Sequence, residues 1–323
     1  MPTATPIVVL GGSGFIGTRL ASRINELGYE VRIGDLNPSS VHPNLHTTCD
    51  VREAASMRGI LAGAGAIINL AAEHRDDVRP ISRYYETNVE GARQVCEAAR
   101  KAGIQRLIFT SSAAVYGFQP IPVGEEGPFE PFNPYGQTKL EAEGIYRSWA
   151  EEDPTRSLAI IRPTVVFGEG NRGNVYNLLR QIASGRFMMV GPGTNKKSMA
   201  YVGNVAEALI YGLSLGPGVH IFNYADGPDM DMNELVALVY RSLGRPLPSQ
   251  WRIPLPLAMA GGHALDALAR ITGRTFPISA IRVQKFCENT QFKADRLKAI
   301  AFAPSTTLQD ALSRTIQNEF KAL

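Results

Sequence analysis

The stretch Phe132-Asn133-Pro134-Tyr135-Gly136-Gln137-Thr138-Lys139 sets a phenol four residues before an ammonium. Asn133 can cap a helix start, and Pro134 suits the first helical position, where its missing N–H costs nothing. Tyr135 and Lys139 then share one helix face within mutual reach. An ammonium beside a phenol favours the phenolate and lowers its pKa. Such a tyrosine can give or take a proton at a carbon bearing an alcohol or a ketone. Tyrosine and lysine are also common on solvated helix faces, so the elements around the pair must decide its meaning.

Those elements begin at once. Ile7-Val8-Val9-Leu10 is a short, continuously apolar run, as expected of a strand buried on both faces. Gly11-Gly12-Ser13-Gly14-Phe15-Ile16-Gly17 follows, with glycines spaced G-x-x-G-x-x-G. Gly11 allows a tight turn, Gly14 lets the backbone approach a pyrophosphate, and Gly17 lets the next helix pack closely. The helix N-terminus would then offer N–H groups and its positive dipole end to phosphates. A second strand, 29–34, ends at Asp35, where a carboxylate can accept from the adenosine ribose hydroxyls and repel a 2′-phosphate. This order of strand, glycines, helix, strand and Asp points to a dinucleotide, NAD before NADP.

Strand–helix alternation continues. The run 47–51 reads as a strand carrying Asp50, placed to meet an adenine amino group. Ala66–Ala72 reads as another buried strand, with small Ala71 and Ala72 at its carboxyl end. A long helix is expected over 81–102, and a strand at 107–110 leads into Ser111-Ser112. Ligands of open parallel sheets sit outside the carboxyl ends of the strands, where all these residues fall. The expectation is an α/β fold: a Rossmann-type doubly wound parallel sheet with a smaller α/β C-terminal domain. The proposed division is 1–167 for the dinucleotide and 168–323 mainly for substrate, with about 200–225 returning to the first domain.

At this point the chain resembles the extended short-chain dehydrogenase/reductases, the NAD-dependent epimerase/dehydratase family. The resemblance rests on GGSGFIG (11–17), Asp35, Asp50-Val51, NLAA (69–72), Asn88, SSAAVYG (111–117), YGQTK (135–139) and RPTVVFG (162–168). It implies a cofactor site at Gly11, Gly14, Phe15, Ile16, Gly17, Asp35, Asp50, Val51, Leu70, Ala71, Ala72, Tyr135, Lys139 and Arg162. It implies Tyr135 as proton donor and acceptor, Lys139 as its partner on the ribose, and Ser112 on the reacting oxygen. Ser111 would do no more than cap or turn, and Asn88 would serve either structure or site.

In the sugar-nucleotide branch of this family the second half binds a nucleotide diphosphate. Asn174, Lys197 (with Lys196 beside it) and Arg282 match the places that contact it, Lys285 being the other choice for the last. Composition alone favours solvated turn lysines for this pair, and the motif position reverses that preference. Dehydration is disfavoured, because Ala113 and Ala114 follow Ser112 where proton-transferring Asp-Glu would be needed. Two reactions at C4 of a UDP-sugar remain. The stretches 71–80, 168–179, 195–209 and 271–279 look most like reductases of UDP-4-keto-6-deoxy-N-acetylglucosamine, which form UDP-N-acetylquinovosamine for O-antigen. The alternative is 4-epimerisation of a UDP-hexose or UDP-N-acetylhexosamine. A non-catalytic NAD(H) sensor would be expected to have lost the Tyr or the Lys, and this chain keeps both.

Composition narrows the setting. The 323 residues are 44% hydrophobic and 20% charged, ordinary for a globular protein. A net charge of +3 argues for neither nucleic acid nor an anionic surface as the main partner. Cys49, Cys96 and Cys287 are far apart and read as reduced thiols. The first residues lack the basic start of a signal peptide, and the apolar stretch 253–271 is too interrupted to span a bilayer. The expectation is a cytoplasmic homodimer, paired through the 81–102 and 134–152 helices, with no metal and no integral membrane segment.

Overall fold

The computed structural model describes residues 5–75, 78–119, 121–248, 252–272, 280–300 and 302–322. The chain divides into two compact units. The first comprises Met1–Gly168, Met199–Asp226 and Phe292–Thr307; the second comprises Glu169–Ser198, Gly227–Gln291 and Leu308–Leu323.

The first unit is built on seven parallel strands: β1 (Ile7–Leu10), β2 (Val31–Asp35), β3 (His46–Thr48), β4 (Ala66–Asn69), β5 (Arg106–Thr110), β6 (Ser157–Pro163) and β10 (Gly218–Tyr224). Their order is β10-β6-β5-β4-β1-β2-β3. The order reverses between β1 and β4, which opens a crevice at their carboxyl ends. Neighbouring strands pair in parallel, with Ile7 opposite both Val31 and Ala66. Both faces of the sheet are covered, so the strands need apolar side chains on both sides. Val8, Leu10, Ile67, Leu107, Phe109, Leu158 and Ile160 face one core, shared with α2 (Ala54–Leu61), α4 (Gly91–Ala102) and α5 (Pro134–Glu151). Ile7, Val9, Ile33, Ile68, Ile108 and Ile161 alternate to the other, shared with α1 (Phe15–Glu26) and α7 (Val202–Gly212).

Three local readings are changed. Strand β3 stops at Thr48, so Asp50 lies past its end. The helix expected over 81–102 has three parts: α3 (Ser82–Tyr84), a π-helical stretch Tyr85–Glu90, and α4. Residues 292–307, with the short α11 (Asp295–Ala299), pack in the first unit rather than the second. A short strand β7 (Val165–Phe167) pairs in parallel with the end of β9 (Lys196–Tyr201).

The second unit holds α6 (Asn174–Ala183), α8 (Met232–Ser242), α9 (Leu255–Thr272), α10 (Ala280–Cys287) and α12 (Leu308–Phe320). Strands β8 (Met189–Val190) and β12 (Arg252–Ile253) pair in parallel, and β11 (Asp226–Asp231) leads into α8. The start of α8 is fixed by a capping box between Asp231 and Glu234.

Candidate active site

The glycine loop lies at the crevice between β1 and β4. Gly11 has φ +76°, a left-handed conformation, and a Cβ on it would stand 2.6 Å from the Ala71 nitrogen. The turn and the Asn69–Ala71 segment can therefore touch only because Gly11 has no side chain. A Cβ on Gly17 would stand 2.5 Å from the Gly11 oxygen, so α1 starts tightly on the loop. Gly14 caps α1 without a side-chain bond. The amides of Phe15, Ile16 and Gly17 are the first of the helix and have no intrahelical acceptor. Asp35 stands beside the loop: its carboxylate accepts the Ser13 N–H at 3.1 Å and the Asn37 N–H at 2.9 Å.

Helix α5 carries Tyr135 and Lys139, and it is pinned to three strand ends. Asn133 caps it by accepting the Gly136 N–H at 2.8 Å, as its type and position predict. At Gly136 a Cβ would stand 2.5 Å from the Ala114 oxygen. The first turn of α5 therefore lies directly on the 3-10 turn Ala113–Tyr116 that follows Ser112. Lys139 is buried, and its ammonium donates to the Thr110 carbonyl at the end of β5 at 2.6 Å, 4.5 Å over the Phe109 ring. Burial pushes the Lys139 pKa down to about 7, with Glu143 opposing. The end of β4 holds α5 through Asn69, whose amide donates to the Tyr146 hydroxyl at 2.6 Å while its carbonyl accepts the Ala71 N–H.

The third pin is Glu143, one turn beyond Lys139. It forms a bidentate pair with Arg162 of β6, at 2.8 and 2.6 Å, and accepts the Ser111 hydroxyl at 2.5 Å. Arg162 is 0% exposed, and its remaining bonds go to the Tyr116 hydroxyl and the Glu125 carbonyl. This corrects the expectation that Arg162 meets the cofactor: its guanidinium is spent inside the protein, and it positions α5. Ser111 belongs to the same network. Ser112, half-exposed, accepts the Ala114 N–H at 3.1 Å and keeps its own hydroxyl proton to donate. The capping role expected of Ser111 thus falls to Ser112.

Asn88 is buried in the π-helical stretch. It exchanges bonds with the Glu73 backbone and donates to Thr138 at 2.9 Å, one residue before Lys139. Asp50 is held by Arg52 in a bidentate pair as short as 2.6 Å, and that bond holds its carboxyl below the usual range. Val51 packs into the core, so any cofactor contact there is through the main chain. Leu70 is partly buried against the other core, and Ala71 and Ala72 line the end of β4.

The substrate residues named from sequence lie in the second unit. Asn174 opens α6 and is exposed. Lys197 is partly buried. Its ammonium donates to the Glu288 carbonyl at 2.5 Å and to Thr290 Oγ1, and burial lowers its pKa. It staples β9 to the 288–290 segment through these two bonds. Arg282 and Lys285 lie in α10 with side chains outside the described residues, as do residues 273–279.

Residues 7–225 match the model of the NAD dependent epimerase/dehydratase family. The chain belongs to that family. It is 48% identical over 316 residues, 97% of this chain and 95% of the relative, to the N-acetyl-alpha-D-glucosaminyl-diphospho-ditrans,octacis-undecaprenol 4-epimerase of Escherichia coli O157:H7. It is 31% identical over 283 residues to the UDP-glucose 4-epimerase of Yersinia pestis, covering 75% of this chain and 83% of that one. The fold is that of the UDP-N-acetylglucosamine 4-epimerase from Methanobrevibacter ruminantium M1, in complex with UDP-N-acetylmuramic acid, with a TM-score of 0.76, 22% identity and complete coverage of both chains.

The protein is therefore an enzyme of the epimerase/dehydratase family, and its loop fits the dinucleotide which that family is named for. Gly11 lets the loop close onto Ala71, Gly14 puts no side chain at the helix entrance, the α1 N-terminus has no side-chain cap, and Asp35 is fixed at the loop by two main-chain N–H groups.

Proposed function

We propose that the protein interconverts the C4 epimers of an N-acetylhexosamine joined through a diphosphate to a polyprenyl carrier. The likeness to the E. coli undecaprenol-linked epimerase, spread over 97% of the chain, carries this reading. Both curated relatives described above are 4-epimerases by name, which favours epimerisation over the 4-ketoreduction that the sequence placed first.

In this reading the protein's groups act at one atom, the sugar O4. Tyr135 takes the O4 proton on its phenolate oxygen as C4 is oxidised, and returns it as C4 is reduced from the other face. Lys139, one turn away, favours the phenolate while it carries its proton. Ser112 donates its hydroxyl to O4, since its lone pair already takes the Ala114 N–H. Ala113 and Ala114 offer no proton-transferring group, so water is not eliminated. Bound at the glycine loop, NAD would accept the C4 hydride and return it, so none is consumed over a full turn. Asp35 would take the adenosine ribose hydroxyls and disfavour a 2′-phosphate, which selects NAD over NADP. Asn174 at the start of α6 remains the proposed diphosphate contact. A homodimer through the 81–102 and 134–152 helices completes the reading; a monomer by light scattering at micromolar concentration would remove that part.

The test supplies N-acetylglucosaminyl-diphospho-undecaprenol in detergent, without NADH, and analyses the sugar released by mild acid. N-acetylgalactosamine should appear, and the same mixture should form from the other epimer. Conversion of UDP-N-acetylglucosamine alone would move the carrier to a nucleotide. Stoichiometric NADH loss on UDP-4-keto-6-deoxy-N-acetylglucosamine, with neither epimerisation, would restore the reductase.

A further inference from the structure

Helix α9 has the composition of a core element and the exposure of a surface one. Its sequence, Leu-Pro-Leu-Ala-Met-Ala-Gly-Gly-His-Ala-Leu-Asp-Ala-Leu-Ala-Arg-Ile-Thr, contains one acidic and one basic residue in 18. A helix that apolar is ordinarily enclosed on all sides. Helix α7, Val-Gly-Asn-Val-Ala-Glu-Ala-Leu-Ile-Tyr-Gly, obeys this rule, with Val202, Val205, Ala206, Ala208 and Leu209 all buried. In α9 the described residues include a single buried one, Gly262. Leu255, Leu257 and Leu268 are 39%, 65% and 43% exposed, and Ile281 of the neighbouring α10 is 55% exposed. Solvent is a poor neighbour for this much exposed apolar side chain.

The charged residues in the sequence of α9 and α10 are mostly basic. Helices α9 and α10 carry Arg270, Arg282 and Lys285 against Asp266 alone. The Asp266 carboxylate is spent within the unit, accepting the Ala280 N–H at 3.0 Å where α10 begins. Among the described residues no helix is long and apolar enough to cross a membrane. At 1.5 Å per residue α9 is about 27 Å long, and an apolar helix whose sequence carries a basic excess suits the plane of an anionic bilayer surface.

We propose that α9 and the start of α10 form a membrane-docking face that sets the protein on an anionic bilayer. This rests on the polyprenyl reading above, because such a carrier keeps its isoprenoid in the membrane and exposes only the diphosphate and sugar. Docking gives the apolar face its cover and brings the enzyme to the depth of its substrate. The leucines supply the insertion and the basic residues the attraction to acidic headgroups.

The test is sedimentation of the purified full-length protein with vesicles, with no sugar and no turnover involved. Vesicles of phosphatidylcholine with about 30% phosphatidylglycerol should carry the protein down, and pure phosphatidylcholine should carry much less. The double substitution Leu257→Glu with Leu268→Glu, at two exposed positions, should weaken binding on the order of tenfold or more while the circular dichroism melt stays as in wild type. Absence of vesicle binding by wild type would overturn the proposal even if the detergent-solubilised substrate is epimerised. Binding unaffected by the double substitution would also overturn it. So would a dimer by light scattering that the substitution splits without any vesicle binding, since the face would then belong to a second copy. Vesicle binding lost on substitution, in a protein that does not epimerise the lipid-linked sugar, would leave the docking face standing and remove the polyprenyl function instead.

Discussion

Replacing Glu143 with Gln tests how the active-site helix is held. The substitution keeps the shape of the side chain and removes its charge. Arg162 is then left ionised at 0% exposure with no counter-charge, its acceptors reduced to the Gln amide oxygen, the Tyr116 hydroxyl and the Glu125 carbonyl. Breaking one partner of a buried pair costs about 3–5 kcal/mol, because the surviving charge stays desolvated. By the scaling for mid-sized domains that is a fall in Tm of about 6–20 °C. Urea titration of the wild type and Glu143→Gln measures it directly. A companion, Glu143→Met with Arg162→Met, removes both charges and should be no less stable than Glu143→Gln, although Ser111 and the Glu125 carbonyl lose partners at about 1–3 kcal/mol each. The singles Glu143→Met and Arg162→Met should then sum to more than the double. A second readout concerns Lys139, whose pKa Glu143 raises. In Glu143→Gln the ammonium should lose its proton at lower pH, so kcat/KM should begin to change at lower pH than in wild type. A Glu143→Gln protein within about 1 kcal/mol of wild type, or additive singles, would refute the buried-pair account.

Lys139 also governs stability against pH in the cofactor-stripped protein. Its folded pKa of about 7 lies below its unfolded value of about 10.4, so between those values the unfolded chain binds one more proton here. Stability from this site therefore rises from pH 7 to 10 and is lost as pH falls back through 7. The stability of wild type relative to Lys139→Met should climb by up to about 4 kcal/mol over that window, and a flat difference would contradict the burial argument. Tyr135→Phe should lose on the order of 10²–10⁴ in kcat while dinucleotide binding, followed by fluorescence, is retained; full turnover would remove the proton role. Gly11→Ala should abolish dinucleotide binding and lower Tm, because a Cβ there meets the Ala71 nitrogen at 2.6 Å in a left-handed backbone. Wild-type affinity in Gly11→Ala would show that the loop can move aside.

The sheet was legible because burial on both faces forces continuous apolar runs, as in Ile7–Leu10 and Ala66–Asn69, and because turns of this kind admit only glycine. The Asn133-Pro134 helix start was legible for the same local reason. What escaped was non-local. Arg162 follows an apolar strand run and precedes a proline, so spacing could not tell a cofactor ligand from a buried partner of Glu143. The π-helical widening that carries Asn88 inward has no composition of its own. Lys197 sits on a polar turn by sequence, and only pairing with the 288–290 segment shows where its ammonium goes. The signal that could have exposed Glu143 was its place one turn after Lys139, on the same face, since a carboxylate there must be solvated or paired.

These buried contacts explain why Tyr135 and Lys139 sit on a helix rather than a loop. The proton transfer proposed at O4 would need the phenol, the ammonium and Ser112 placed together to a fraction of an ångström. A helix fixes the first two to each other, but not to Ser112, which comes from another element. That relation is set by Gly136 lying on the Ala114 carbonyl, by Lys139 reaching Thr110, and by Glu143 gripping Ser111 next to Ser112 in sequence. Each contact joins α5 to the 110–114 segment. A desolvated ion pair is a poor source of net stability, since an apolar pair of similar volume often does as well. Its retention here is better understood as geometry: the directional bonds of Glu143 admit one placement of α5 against Ser111, whereas an apolar contact would admit several. If that is right, Glu143→Met with Arg162→Met can recover stability without recovering kcat, and the two measurements on one protein separate holding the fold from holding the site.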